Sequence, residues 1–174
     1  MAKKKSTWVL FSVLLISALI LGSTIQVGAE TLNFKFYSYA SKGDRVSVGD
    51  SEGHAMILSV RKNFIVFENA EIATANNVLT GDLIKGKGTF VQYITITFPD
   101  GSTIVVKEQG TLEGTAVGSN TSASTTGQII KGTGRFEGIK GTRTGRGKYL
   151  PVEADESGPK GYGEGTLNYT LPTK

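Results

Sequence analysis

Cysteine is absent from all 174 residues of the chain. That excludes disulfides, thiolate metal sites and the lipid anchor that bacterial lipoproteins carry on a cysteine at the export cut. Histidine is nearly absent as well, with His54 the single example. A Ser–His–acid triad would have to use it, yet no Gly-x-Ser-x-Gly elbow accompanies it, and an imidazole metal site would lack a second soft ligand. Following Ser51-Glu52-Gly53 at a strand start, His54 reads as a rim or surface residue. Glu68, Glu71 and Asp82 read as solvated carboxylates rather than the paired acids of glycoside chemistry. From Glu30 onward no window holds a helical period with caps, and only a single turn near 135–139 suggests one.

A usable excess of positive charge is missing too. The chain has nineteen Lys and Arg against fifteen Asp and Glu, but three of the basic residues and none of the acidic ones precede Glu30. The chain beyond Ala29 is balanced at sixteen against fifteen. Net charge therefore gives no reason to expect a nucleic-acid partner.

The first residues explain that asymmetry. Lys3, Lys4 and Lys5 precede an uncharged apolar run from Trp8 to Leu21, and small residues lead to Val27-Gly28-Ala29. This is the three-part pattern of a secretory signal cut near Ala29. The run is shorter than the roughly 20 apolar residues of a membrane span, so cleavage is expected and no stable membrane anchor remains. The expected organisation is a signal peptide over 1–29 and one domain over 30–174, secreted or periplasmic. A domain of that size can hold a core without disulfides.

Strand signals dominate that domain. Leu32, Phe34 and Phe36 alternate with Asn33, Lys35 and Tyr37; Phe90, Ile94, Ile96 and Phe98 share one phase, and Thr89, Tyr93, Thr95 and Thr97 the other. Ala55 to Phe67 is apolar except for Arg61-Lys62-Asn63. A period of two belongs to sheets with unlike faces. Pro99-Asp100-Gly101-Ser102 lies between two such runs and predicts a hairpin, because Pro presets φ and Gly supplies φ > 0. Glycine recurs inside strand-like runs, as in Gly161-Tyr162-Gly163-Glu164-Gly165, which suits a tightly curved sheet closing on itself. Two stretches, Gly118 to Thr126 and the acidic Pro151 to Lys160, read as surface loops.

Lys131 to Lys148 concentrates basic residues among glycines, but no strand-to-long-helix junction supports a phosphate-binding loop. The simpler reading is an alternating strand with Arg143 and Lys148 exposed; the alternative is a basic patch for an anionic surface. Within this region Lys131-Gly132-Thr133-Gly134-Arg135-Phe136-Glu137-Gly138-Ile139-Lys140-Gly141 resembles the Gly-Gly-(Ser/Thr)-Gly-x-Phe-Glu-Gly-x-x-Gly signature of the allene oxide cyclase barrel, of which dirigent proteins share a looser version. Gly132, Gly134, Phe136, Glu137, Gly138 and Gly141 carry the match, with glycines permitting sharp re-entry into a strand and Phe136 plugging the core. The resemblance implies an all-β, antiparallel eight-stranded β-barrel with a mainly apolar cavity, preceded here by the cleavable signal helix, and a homo-oligomer, by analogy a trimer.

The family's reaction uses a Glu, an Asn and a Ser-Pro pair near the first strand. Setting Asp44-Arg45 beside a similar pair puts Tyr39, Ser41 and Ser47-Val48 at those positions, so the resemblance does not supply the cyclase residues. No cofactor or metal is implied. The expected partner is a small apolar or amphipathic molecule held in the cavity, with Tyr37, Tyr39, Phe67 and Tyr93 as candidate cavity or rim contacts. Two rivals are an isomerase or cyclase that steers a reactive intermediate by shape, and a structural surface protein with a filled barrel.

Overall fold

The computed structural model describes residues 28–114, 121–150 and 158–173, so the expected signal helix lies outside the described residues. Eight strands succeed one another: β1 (Glu30–Ser47), β2 (His54–Phe67), β3 (Ile72–Ile84), β4 (Lys87–Thr97), β5 (Thr103–Glu113), β6 (Ser122–Thr133), β7 (Lys140–Tyr149) and β8 (Lys160–Thr170). Each pairs antiparallel with its neighbours, and β8 returns to β1 to close a barrel. Closure leaves no edge strand unpaired. The all-β, eight-stranded antiparallel barrel expected from sequence is the fold.

Alternation decides which side chains enter. Along β3 every second residue, from Ala73 through Ala75, Asn77 and Leu79 to Leu83, is buried, and the residues between them are exposed. Two irregularities re-aim the pattern. The β1–β2 register slips at Ser41, and the β5–β6 register slips at Ile130. The second bulge turns Ile130 to solvent while Ile129 stays buried. Ser122 to Thr126, read as part of a loop, belongs instead to β6 and pairs with Gln109 to Glu113. Its hydroxyl-rich residues suit the wet face of a sheet as well as they suit a loop, so composition alone misled.

One end of the barrel is closed. Phe34, Phe67, Phe98, Phe136 and Tyr169 form a continuous chain of rings with centroids 4.7–6.4 Å apart. Ile65, Ile94, Ile96, Ile104, Val106 and Leu167 fill the space around them. The Pro99–Ser102 hairpin forms as expected, the Phe98 N–H donating to the Ser102 carbonyl at 2.9 Å. Beside it the connection from β6 to β7 makes a 3-10 turn over Gly134–Phe136 that drives Phe136 into the core. Gly134 sits at φ +62° and its bare Cα lies against Ser102, whose Oγ accepts from the Arg135 N–H at 3.1 Å.

Candidate functional site

Above the aromatic plug the inward positions change character. Ser38, Arg61, Asn63, Asn77, Gln92, Glu108 and Arg143 are all buried and come from six different strands. They form a polar belt across the barrel. Asn63 Nδ2 donates to Asn77 Oδ1 at 2.6 Å, Asn77 Nδ2 to Gln92 Oε1 at 3.3 Å, and Gln92 Nε2 to Glu108 Oε2 at 2.7 Å. Arg143 Nη1 closes the row on Glu108 Oε1. These last two residues sit on strands β5 and β7, separated by β6, and meet because the residue between them is Gly127. A Cβ there would strike the Glu108 side chain. Burial of this pair is tolerable because each charge neutralises the other and both carboxylate oxygens are hydrogen-bonded. A cavity of about 50 Å³ lies within the belt, and Asn63 Oδ1 and Arg143 Nε are buried with no hydrogen-bond partner among the described residues. Space and polar groups of this kind suit bound water.

Beyond the belt the described residues leave further space. A vestibule of about 320 Å³ opens at this end, walled by Ile57, Leu79, Leu83, Leu112 and Tyr149. Arg61 forms its floor and borders the smaller cavity as well. Its Nε donates to Ser38 Oγ at 2.9 Å and its Nη2 to the Pro159 carbonyl at 2.9 Å, and its guanidinium stacks 4.8 Å from the Tyr149 ring centre. No carboxylate pairs with it among the described residues. Burial pushes its pKa down, with the Tyr149 phenol opposing; a guanidinium nevertheless stays protonated in proteins.

The start of β2 carries the one histidine, in the phase opposite the buried Ala55. His54 Nε2 lies 2.7 Å from Asp82 Oδ1, and its Nδ1 lies 2.5 Å from Asp50 Oδ1. The imidazole therefore clasps the β1–β2 turn to β3. Hydrogen bonding to Asp82, then to Asp50, raises the His54 pKa, and the same contact lowers that of Asp50. At the closed end, burial and then the Glu30 carboxylate push the Tyr169 phenol up to about 12.

The residues singled out from sequence are not brought together. Tyr37, Tyr39 and Tyr93 lie on the outer wall, each more than two-fifths exposed. Phe67 is buried in the plug at the closed end, remote in strand order from the mouth. The motif residues Gly132, Gly134, Phe136, Glu137, Gly138 and Gly141 surround the 3-10 turn at that same end. Ser41, on the β1 bulge, donates to the Val60 carbonyl at 3.1 Å. Arg143, read as exposed, is buried against Glu108, while Lys148 is exposed. Glu68 holds Asn33, and Glu71 pairs with Arg135 at 2.5 Å.

The belt was not anticipated from sequence, although a signal existed. Gln92 stands in the same phase as Phe90, Ile94 and Ile96, and a polar residue in an apolar phase must find partners inside.

No protein-family model matches the chain, and no curated protein does. Among solved structures the chain is similar to the pterocarpan synthase dirigent protein PsPTS1, at 14% identity over 84% of this chain and 97% of that one, with a TM-score of 0.48. It is also similar to the pterocarpan synthase dirigent protein GePTS1, at 13% identity over 83% of this chain and 89% of that one, with a TM-score of 0.49. The side chains of the site itself decide what it can hold.

Proposed function

We propose that this is an exported barrel that binds one small apolar or amphipathic molecule in the vestibule at its open end. The observation that carries the reading is the apolar-walled space of about 320 Å³ lying directly over a polar floor. Its size falls in the range of small-molecule sites, and apolar walls with a few fixed polar groups are what such sites have in common. Bound molecules would gain from contact with the apolar wall, chiefly the half-buried Ile57 and Tyr149, behind which Leu79, Leu83 and Leu112 are packed.

Saturable binding of octan-1-ol to the purified protein, monitored by calorimetry, tests this. A Leu112→Trp variant, which fills the vestibule, should bind at least tenfold more weakly. Failure of any short-chain amphiphile to bind would overturn the reading.

Steering of a reactive intermediate is the second reading, favoured by Asn63 Oδ1 and Arg143 Nε, which have no hydrogen-bond partner among the described residues. Both face the cavity of about 50 Å³ rather than the roomy vestibule, and Glu108 is already held by Gln92 and Arg143. Binding is therefore the better supported of the two. A barrel filled throughout accounts for the plug and not for the vestibule. The export part of the proposal expects a mature N-terminus at Glu30, read by sequencing the secreted protein.

A further inference from the structure

We infer that the molecule taken into the vestibule is anionic at one end and that Arg61 is the group that receives its head. This deepens the proposed binding reading and rests on it.

Arg61 and Arg143 are the two buried arginines, and their surroundings differ in one respect. Arg143 has Glu108, whereas among the described residues Arg61 has only the Ser38 hydroxyl, the Pro159 carbonyl and the Tyr149 ring, none of them a carboxylate. A buried charge without a countercharge is costly, and an arginine cannot escape the cost by losing its proton. Of its five N–H donors, the two hydrogen bonds use one on Nε and one on Nη2. Nη1 and the second hydrogen of Nη2 make no bond among the described residues. One hydrogen from each terminal nitrogen, facing the same way, would form the planar fork that matches a carboxylate in two parallel bonds.

Neighbouring groups favour the same sign. Arg45 stands opposite Ile57 in the β1–β2 register and borders the vestibule, its Nη2 donating to the Gly53 carbonyl at 3.1 Å. Asp44 is the only carboxylate among the described lining residues. It alternates with Gly43 and Arg45 along β1, and so its side chain belongs to the opposite face. Among the described residues the vestibule thus offers two guanidinium groups, apolar walls and no inward carboxylate. An anionic head over Arg61 with its tail along the apolar wall satisfies both halves of the site. Low dielectric around the buried guanidinium strengthens that pairing relative to a surface one.

The test compares three probes of one chain length at pH 7 on the purified protein: octanoate, octan-1-ol and octylammonium. Octanoate should bind at least tenfold more tightly than octan-1-ol, and octylammonium more weakly than either. In Arg61→Gln the preference of octanoate over octan-1-ol should fall to within twofold. In Arg61→Lys, which retains the charge and loses the fork, it should be intermediate. Equal affinities for octanoate and octan-1-ol in the unmodified protein would overturn the inference and leave the binding reading standing. Absence of binding by all three would overturn both. Because the first comparison needs no substitution, it decides the matter even if an Arg61 variant fails to fold.

Discussion

The two ends of this barrel are built from the same eight strands and the same alternation, yet among the described residues one end is solid and the other keeps a cavity. At the closed end five aromatic rings touch in series and are sealed by the 3-10 turn over Gly134–Phe136. At the open end the buried apolar cluster is Leu79, Leu83, Phe90 and Leu112, with Ile57, Ala123 and Tyr149 packed at their side. The polar belt divides the two. A period-two strand delivers a side chain inward at every second residue at both ends; what differs is whether those side chains meet across the lumen. Phenylalanine reaches, whereas leucine and alanine leave a space.

Breaking the belt should have the largest effect. Glu108→Gln leaves Arg143 buried without its countercharge and should lower stability by about 3–5 kcal/mol in denaturant unfolding. Replacing both partners by apolar residues, as Glu108→Leu with Arg143→Met, should recover much of that loss, because the pair is costly to bury and costlier to halve. At the closed end Phe136→Ala should cost about 3–5 kcal/mol, since the rings around it cannot collapse into the gap. The matching truncation at the open end, Leu112→Ala, should cost only about 2 kcal/mol, because that side chain already borders open space. Equal costs for the two truncations would mean that the ends are packed alike.

The histidine clasp gives a smaller, pH-dependent effect. A group whose folded pKa is raised contributes stability that is fully present below its unfolded value, near 6.5 for histidine, and is lost as pH rises through the folded value. Asp50, whose pKa is lowered, contributes above its own unfolded value and loses that contribution as pH falls through the folded one. The clasp should therefore be intact in mildly acidic solution and weaken on the alkaline side of the His54 transition. Titrating the imidazole by NMR should give a midpoint above 6.5, and Asp82→Asn should move it back down. The least effect on stability is expected on the outer wall. Tyr37→Ser and Phe64→Ser, cross-strand neighbours on β1 and β2, should change unfolding free energy by no more than about 0.5 kcal/mol.

How much of this was legible can be judged at particular positions. The phase of Phe34 and Phe36 against Asn33 and Lys35 fixes two faces for β1 without any tertiary knowledge. The same phase puts Tyr37 on the polar side, and its outward placement obeys a rule already visible in the sequence. An aromatic ring attracts a binding hypothesis by chemistry, but its phase is the better guide. Arg143 is different. Its burial depends on Glu108, thirty-five residues away, and on the missing side chain of Gly127 between them. No local pattern contains that triple.

The sequence by itself determined a cysteine-free, nearly charge-balanced chain after Ala29, strands rather than helices, and the turn chemistry of Pro99–Ser102. Local sterics and alternation act within a few residues, and composition is read directly. Only the tertiary structure decided that one end is plugged and the other open, that Glu108 neutralises Arg143, and that Arg61 is left facing the vestibule without a carboxylate among the described residues. Those outcomes depend on which strands become neighbours when the barrel closes and on how far each inward side chain reaches across the lumen.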